Sequence, residues 1–174
     1  MGTQKTWMLL VFTAWLAGCT APLYKSAPTA VAKLEATRGN STSGTVTFEQ
    51  HGDQVMAKAK IEGLKPGQEH GFHIHEKGDC SSGDGMSTGG HFNPAGRAHG
   101  APDAEHHAGD MPSLKADAQG RADVTFHLSG VTIGTGVVDI VGKGLIVHAM
   151  PDDYRTQPTG NAGARIACAV IVRQ

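Results

Sequence analysis

Residues 54–61 read Gln-Val-Met-Ala-Lys-Ala-Lys-Ile, with Val55, Ala57, Ala59 and Ile61 on one face and Met56, Lys58 and Lys60 on the other. Apolar residues at a period of two mark a β-strand with one buried face. Leu64-Lys65-Pro66-Gly67 follows closely and reads as a turn. Further short β-branched or alternating segments lie at 31–36, 44–50, 69–75, 122–128, 137–141, 145–149 and 165–172, each bounded by Gly, Pro, Asp or Asn. Eight short strands and no convincing helix predict an all-β protein, an antiparallel barrel or sandwich. Composition agrees: 24 of 174 residues are glycine, and 39% are apolar. A helical bundle would carry more Leu, Glu and Lys and fewer glycines. A formal charge of −1 argues against a nucleic-acid binder, which needs a strongly basic face.

The N-terminus reads as a leader. Lys5 supplies a positive start, and residues 7–17 (WMLLVFTAWLA) are an apolar run too short for a bilayer, which needs about 20 residues, but suited to secretion. Leu16-Ala17-Gly18-Cys19 resembles the lipobox of bacterial lipoproteins. That resemblance implies cleavage after residue 18, lipidation of the Cys19 thiol and a membrane anchor through it. Residues 19–30 then form a small-residue, proline-containing tether, and residues 31–174 a single domain. Once Cys19 is lipidated, Cys80 and Cys168 remain as one available disulfide pair, with two free buried thiols as the alternative.

Two stretches break the strand rhythm, at 76–120 and at 150–164. Loops longer than about 15 residues are uncommon in compact domains and usually serve a function. Of the ten histidines, seven lie between His70 and His107. His73 and His75 sit two apart in a strand-like segment, so both imidazoles leave the same face. The first loop adds His91, His99, His107 and Asp110, and a late strand adds His148. Six imidazoles and a carboxylate exceed the four ligands of one tetrahedral site, so two metals are expected. Imidazole sets suit copper and zinc, and an added carboxylate suits zinc. His51 and His127 are read as surface or rim residues, His70 faces opposite to His73, spacing to Asp110 prefers His107 over the adjacent His106, and Met86, Met111 and Met150 are read as packing or loop residues.

GFHIHE at 71–76, His91-Phe92-Asn93-Pro94, His99-Gly100, His107-Ala108-Gly109-Asp110, Val147-His148 and GNAGARIACA at 160–169 resemble, in order and spacing, the copper/zinc superoxide dismutase family. The resemblance runs from about residue 31 to the C-terminus. It implies an eight-stranded antiparallel Greek-key β-barrel or sandwich with two long functional loops, and one copper and one zinc per subunit. It assigns copper to His73, His75, His91 and His148, and zinc to His91, His99, His107 and Asp110, so that His91 bridges both. It also implies a Cys80–Cys168 disulfide, an Asp152 carboxylate linking His73 and His99, and an Arg165 that draws the superoxide anion to copper. The implied activity is superoxide dismutation, with His91 passing a proton, in antioxidant defence at the periplasm-facing side of a bacterial cell envelope. The loop at 149–159 lacks the lysine and glutamate cluster of the cytosolic branch, and residues 78–84 look like the bacterial branch. Monomer and homodimer both stay open. The rival reading is a non-catalytic periplasmic module that binds copper or zinc on the same scaffold. A purely structural zinc protein would leave His73, His75 and His148 without work.

Overall fold

The computed structural model describes residues 1–3 and 26–174; the apolar leader, Cys19 and the first part of the tether lie outside them. Among the described residues there are ten strands and no α-helix. β1 (Thr29–Ala36), β2 (Ser43–His51) and β3 (Gln54–Glu62) form an antiparallel meander. β2 and β3 are joined through Gly52 and Asp53, where Gly52 takes φ 61°, the positive value that a two-residue hairpin turn needs. Along β3 the expected alternation holds: Val55, Ala57, Ala59 and Ile61 are buried, and both lysines are exposed.

β7 (Ala122–Ser129) pairs with β3, and on the other flank β9 (Arg165–Val170), β8 (Gly144–His148) and β5 (Phe72–His75) extend the sheet from β1. β10 (Val172–Arg173) also pairs with β1, making eight strands in one sheet. The sheet curls. Phe72 on one outer strand meets Phe126 on the other edge to face, with ring centroids 6.3 Å apart. A short ribbon of β4 (Glu69–His70) and β6 (Leu114–Lys115) spans the remaining gap, and a turn from Asp117 to Arg121 carries β6 into β7. β7 thus pairs with β3 in the large sheet, and β6, which leads into it, pairs with β4 in the small one. Phe48, Phe72, Ile74, Leu145 and Val147 fill the interior.

Four sequence expectations need adjustment. Residues 137–141 form no strand: the Asp139 carboxylate accepts from the N–H groups of Gly134 and Val141, curling the segment into a loop that plugs Ile140 into the core and leaves Val137 exposed. The segment 69–75 is divided at Gly71, where a Cβ would stand 2.7 Å from the Ala162 side chain. The last strand divides at Ile171, and the strand at 145–149 ends one residue early, at His148. β6 carried no pattern, being only two residues long.

The long loop is anchored by backbone bonds to β5. Phe92 N–H donates to Ile74 O (2.8 Å), Ile74 N–H to Gly109 O (2.9 Å) and Glu76 N–H to Gly90 O (3.0 Å). The approach is so close that a Cβ on Gly109 would collide with the Ile74 carbonyl. Cys80 and Cys168, 88 residues apart, are disulfide-bonded, tying the same loop to β9. In a chain-entropy account, closing a loop of that length is worth roughly 4–5 kcal/mol.

The two faces of the sheet predict different sensitivities. Phe48→Ala should lower unfolding stability by about 3–5 kcal/mol, whereas Lys58→Ala on the outer face should change it by less than about 0.5 kcal/mol. Urea unfolding of both variants measures this, and equal losses would contradict the assignment of faces.

Candidate metal centre

Two groups of buried ligand atoms converge where β5, β8 and the long loop meet. His73, His75, His91 and His148 form one, and His91, His99, His107 and Asp110 the other, with the ligand atoms in each within 4.8 Å of one another. His91 belongs to both. β5 places His73 and His75, and His148 ends the neighbouring strand β8. Local bridges pair His75 with His91 and His73 with Asp110, so β5 itself aligns the loop residues.

For His73, His75 and His148, hydrogen bonds settle which ring nitrogen carries the proton. Carbonyl and carboxylate oxygens only accept, so the ring nitrogen facing one must donate. His75 Nδ1–H donates to Gly89 O (3.0 Å) and His148 Nδ1–H to Gly163 O (3.1 Å). Asp152 accepts from His73 Nε2–H through one oxygen (2.7 Å) and from His99 Nε2–H through the other (2.9 Å). The opposite nitrogens, His73 Nδ1, His75 Nε2 and His148 Nε2, are buried without a hydrogen-bond partner, as is His91 Nε2. An orphaned buried lone pair is costly, and the four in the first group face one another.

In the second group, His91 Nδ1, His99 Nδ1 and His107 Nδ1 lie 2.7, 3.0 and 3.3 Å from Asp110 oxygens, and the His91 and His107 nitrogens are 3.5 Å apart. Ligands at the usual zinc distance of about 2.0–2.1 Å in a tetrahedron stand roughly 3.3 Å from one another. The second donor set therefore has the spacing of a tetrahedral ion site, and the first brings four imidazole ligand atoms within 4.8 Å of one another.

Burial and neighbouring charge act in opposite directions on these groups. Burial lowers His73 to about 4 against the pull of its Asp152 bond, and lowers His148 to about 3 with His73 adding to it. His75 is also held well below its ordinary value by burial and by the adjacent His91 and Arg165. His107 moves down for the same first reason. Burial opposes charge on His99 too, but Asp110 and Asp152 outweigh it and raise the ring to about 9. Burial would raise both carboxyls, yet hydrogen bonds from His91 and His99 hold Asp110, and from His73 and His99 hold Asp152, below the usual carboxylate range.

Arg165, at the start of β9, is half-buried beside the first group. Its Nη1–H groups donate to Gly85 O (2.7 Å) and Thr88 Oγ1 (2.9 Å), and Nη2–H to Gly89 O (2.7 Å). Arg38 N–H and Gly83 O (2.7 Å) pin the same loop from behind.

The family pattern described as Copper/zinc superoxide dismutase matches residues 42–171. The chain belongs to the copper/zinc superoxide dismutase family. It is an oxidoreductase that dismutates superoxide, with copper and zinc as cofactors. An extracellular copper–zinc superoxide dismutase of Drosophila melanogaster is 46% identical over 137 residues, covering 74% of each chain. The copper–zinc superoxide dismutase of Paramecium bursaria Chlorella virus 1 is 42% identical over 149 residues, covering 82% of this chain and 76% of its own. Among solved structures, the clock protein EA4 superposes with a TM-score of 0.77 at 34% identity, over 86% of this chain and 96% of its own. A double mutant of a SOD-like protein from Bacillus subtilis gives 0.74 at 36% identity, over 82% and 96%.

Within this dismutase, the other histidines stand apart from both groups. His51 and His127 are exposed, and His106 is half-buried and turned to the His107 carbonyl (2.5 Å). His70 is fully buried, its Nδ1–H donating to His148 O (2.8 Å) behind the ligand strand. Met111 is in the core, while Met86 and Met150 are exposed. Sequence reading missed Gln157, whose amide clamps the His99 backbone through its N–H (2.8 Å) and its carbonyl (2.9 Å). It also missed Tyr154, whose N–H donates to Asp152 Oδ1 (2.7 Å), and Thr88. None of these carries a spacing signal.

Stripped of metal by chelation, the protein should be most stable near pH 6.5. An unfolded histidine titrates around 6.5. His73 and His148, at about 4 and about 3, refuse a proton that the unfolded chain accepts, so stability falls as pH drops below that point. Each excluded proton costs about 1.4 kcal/mol per pH unit. His99, at about 9, works in the other direction: its contribution is complete below about 6.5 and is lost as pH rises through 9. Urea midpoints of chelated protein across this range check the prediction, and a midpoint that rises on acidification would contradict it.

Proposed function

We propose that His73, His75, His91 and His148 hold copper, that His91, His99, His107 and Asp110 hold zinc, one ion of each per subunit, and that superoxide reacts at the first group. The observation that carries this is the contrast between the two donor sets. Four imidazole lone pairs suit Cu(II), and three imidazoles with a carboxylate suit tetrahedral zinc. Copper, when bound, supplies the one-electron chemistry, taking an electron from one superoxide and returning it to the next, which leaves with two protons as hydrogen peroxide.

The chain's residues do the rest. His91 presents Nε2 to the first group and Nδ1 to the second. It is the residue placed to take and release a proton at Nε2 while its other nitrogen stays held. Asp152 fixes His73 and His99 with one carboxylate, so the orientation of one group depends on the other. With a formal charge of −1 the whole molecule does not attract an anion; Arg165 supplies local positive charge beside His75 and His148.

We read residues 1–18 as a cleaved secretion signal, Cys19 as lipidated and residues 31–174 as the dismutase domain, with a role in antioxidant defence at the cell envelope. Support comes from the leader pattern and from the Cys80–Cys168 disulfide, which persists in oxidising compartments. The Drosophila relative is named extracellular. Among the described residues no helix is long and apolar enough to cross a membrane. The mass of the native protein should show the loss of residues 1–18 and added acyl chains, and an unmodified Cys19 would contradict the anchor.

The test of the function is superoxide decay after a rapid pulse, with the copper- and zinc-loaded protein present at far below the superoxide concentration. Many turnovers are expected; decay limited to one superoxide per copper would favour the storage module instead. Arg165→Ala should lower the second-order rate by about tenfold at low salt, within the range of steering effects for which superoxide dismutases are themselves a standard example. Arg165→Glu should be slower still, and added salt should slow the wild type while narrowing its lead over both variants. Equal rates for the two variants at low salt would count against an electrostatic role.

A further inference from the structure

We propose that Thr88 is a positioning residue whose hydroxyl joins the anion-guiding Arg165 to the copper ligand His75. This rests on the roles proposed above for those two residues. Thr88 lies in the short 3-10 turn Met86–Thr88 and is fully buried. A hydroxyl has one proton and two lone pairs, and here all three are engaged. Thr88 Oγ1–H donates to Gly85 O (2.8 Å), Arg165 Nη1–H donates to Oγ1 (2.9 Å), and His75 Nδ1–H, shared with Gly89 O, reaches it at 3.2 Å.

The directions are forced. Gly85 O accepts the hydroxyl proton, so the remaining lone pairs face Arg165 and His75, and His75 must keep its proton on Nδ1. That leaves His75 Nε2 as the free ligand nitrogen. The threonine methyl locks the rotamer: it occupies the place where Gly144, at the start of β8, has no Cβ, and a Cβ there would stand 2.8 Å from it. The methyl thus holds the hydroxyl in place, and the hydroxyl links guanidinium and imidazole. Methyl and hydroxyl have separable jobs, and two substitutions separate them.

The experiment titrates azide, a small anion probe, into Cu(II)- and zinc-loaded protein, following the ligand-field absorption, with the Cu(II) paramagnetic resonance spectrum recorded in parallel. Thr88→Val keeps the shape and removes the hydroxyl; losing one charge-assisted contact to Arg165 should weaken azide about threefold to tenfold and alter the resonance spectrum. Thr88→Ser keeps the hydroxyl and removes the methyl; it should melt lower than wild type yet bind azide more tightly than Thr88→Val. Azide affinity unchanged in Thr88→Val, or weakened equally in both variants, would overturn the proposal in favour of packing alone. Failure of Thr88→Val, but not Thr88→Ser, to take up copper supports the hold on His75, and failure of both overturns it. Arg165→Ala run alongside separates the layers. If it binds azide like wild type, the anion-guiding role of Arg165 fails. If it weakens azide while Thr88→Val does not, only the role of Thr88 falls.

Discussion

Rings packed this closely in a buried interior must aim their N–H groups at fixed oxygens. His75 and His148 use backbone carbonyls, and His73 and His99 share one Asp152 carboxylate. Once those protons are directed outward, the free nitrogens of His73, His75 and His148 converge with His91 Nε2, and a cation is the partner that relieves all four. The rest of the architecture serves this constraint. Strands β5 and β8 give a rigid floor, and the loop between β5 and β6 supplies the other ligands. Backbone bonds from Ile74, Glu76 and Phe92, with the disulfide, keep that loop from wandering.

His91 belongs to both groups of ligand atoms. Its Nδ1 lies among His99, His107 and Asp110, and its Nε2 among His73, His75 and His148. With an ion bound on each side, the ring would be held at both nitrogens and a displacement at one site would be felt at the other. Asp152 forms a second bridge on the far side, between His73 and His99. Gly160 is required for it, at φ 66°, because any Cβ there would collide with the Asp152 carboxylate. The second loop, which has no strand pattern, is therefore shaped around one carboxylate.

Much of this could be read from the chain because it follows a repeating rule. Period-two alternation located β3, and the spacing of His73 and His75 put both imidazoles on one face before any neighbour was known. Contacts between distant segments are different. Thr88, Tyr154 and Gln157 act through single side chains that meet β9, Asp152 and His99 only after folding, and nothing in their local sequence marks them. Residues 137–141 misled in the opposite way. Their β-branched composition fits a strand, but one aspartate offers the backbone a local alternative that the sheet cannot match. That His91 serves both groups came from resemblance to a family, since spacing alone leaves any of six histidines eligible for either group.

The central claim is that one imidazole joins two unlike ions. Crystals of fully loaded protein, with anomalous diffraction collected at the copper and the zinc absorption edges, test it most directly. The account predicts a copper peak among His73 Nδ1 and the Nε2 atoms of His75, His91 and His148. It predicts a zinc peak among the Nδ1 atoms of His91, His99 and His107 and the Asp110 carboxylate. A single peak, or a His91 ring turned away from both ions, would contradict it.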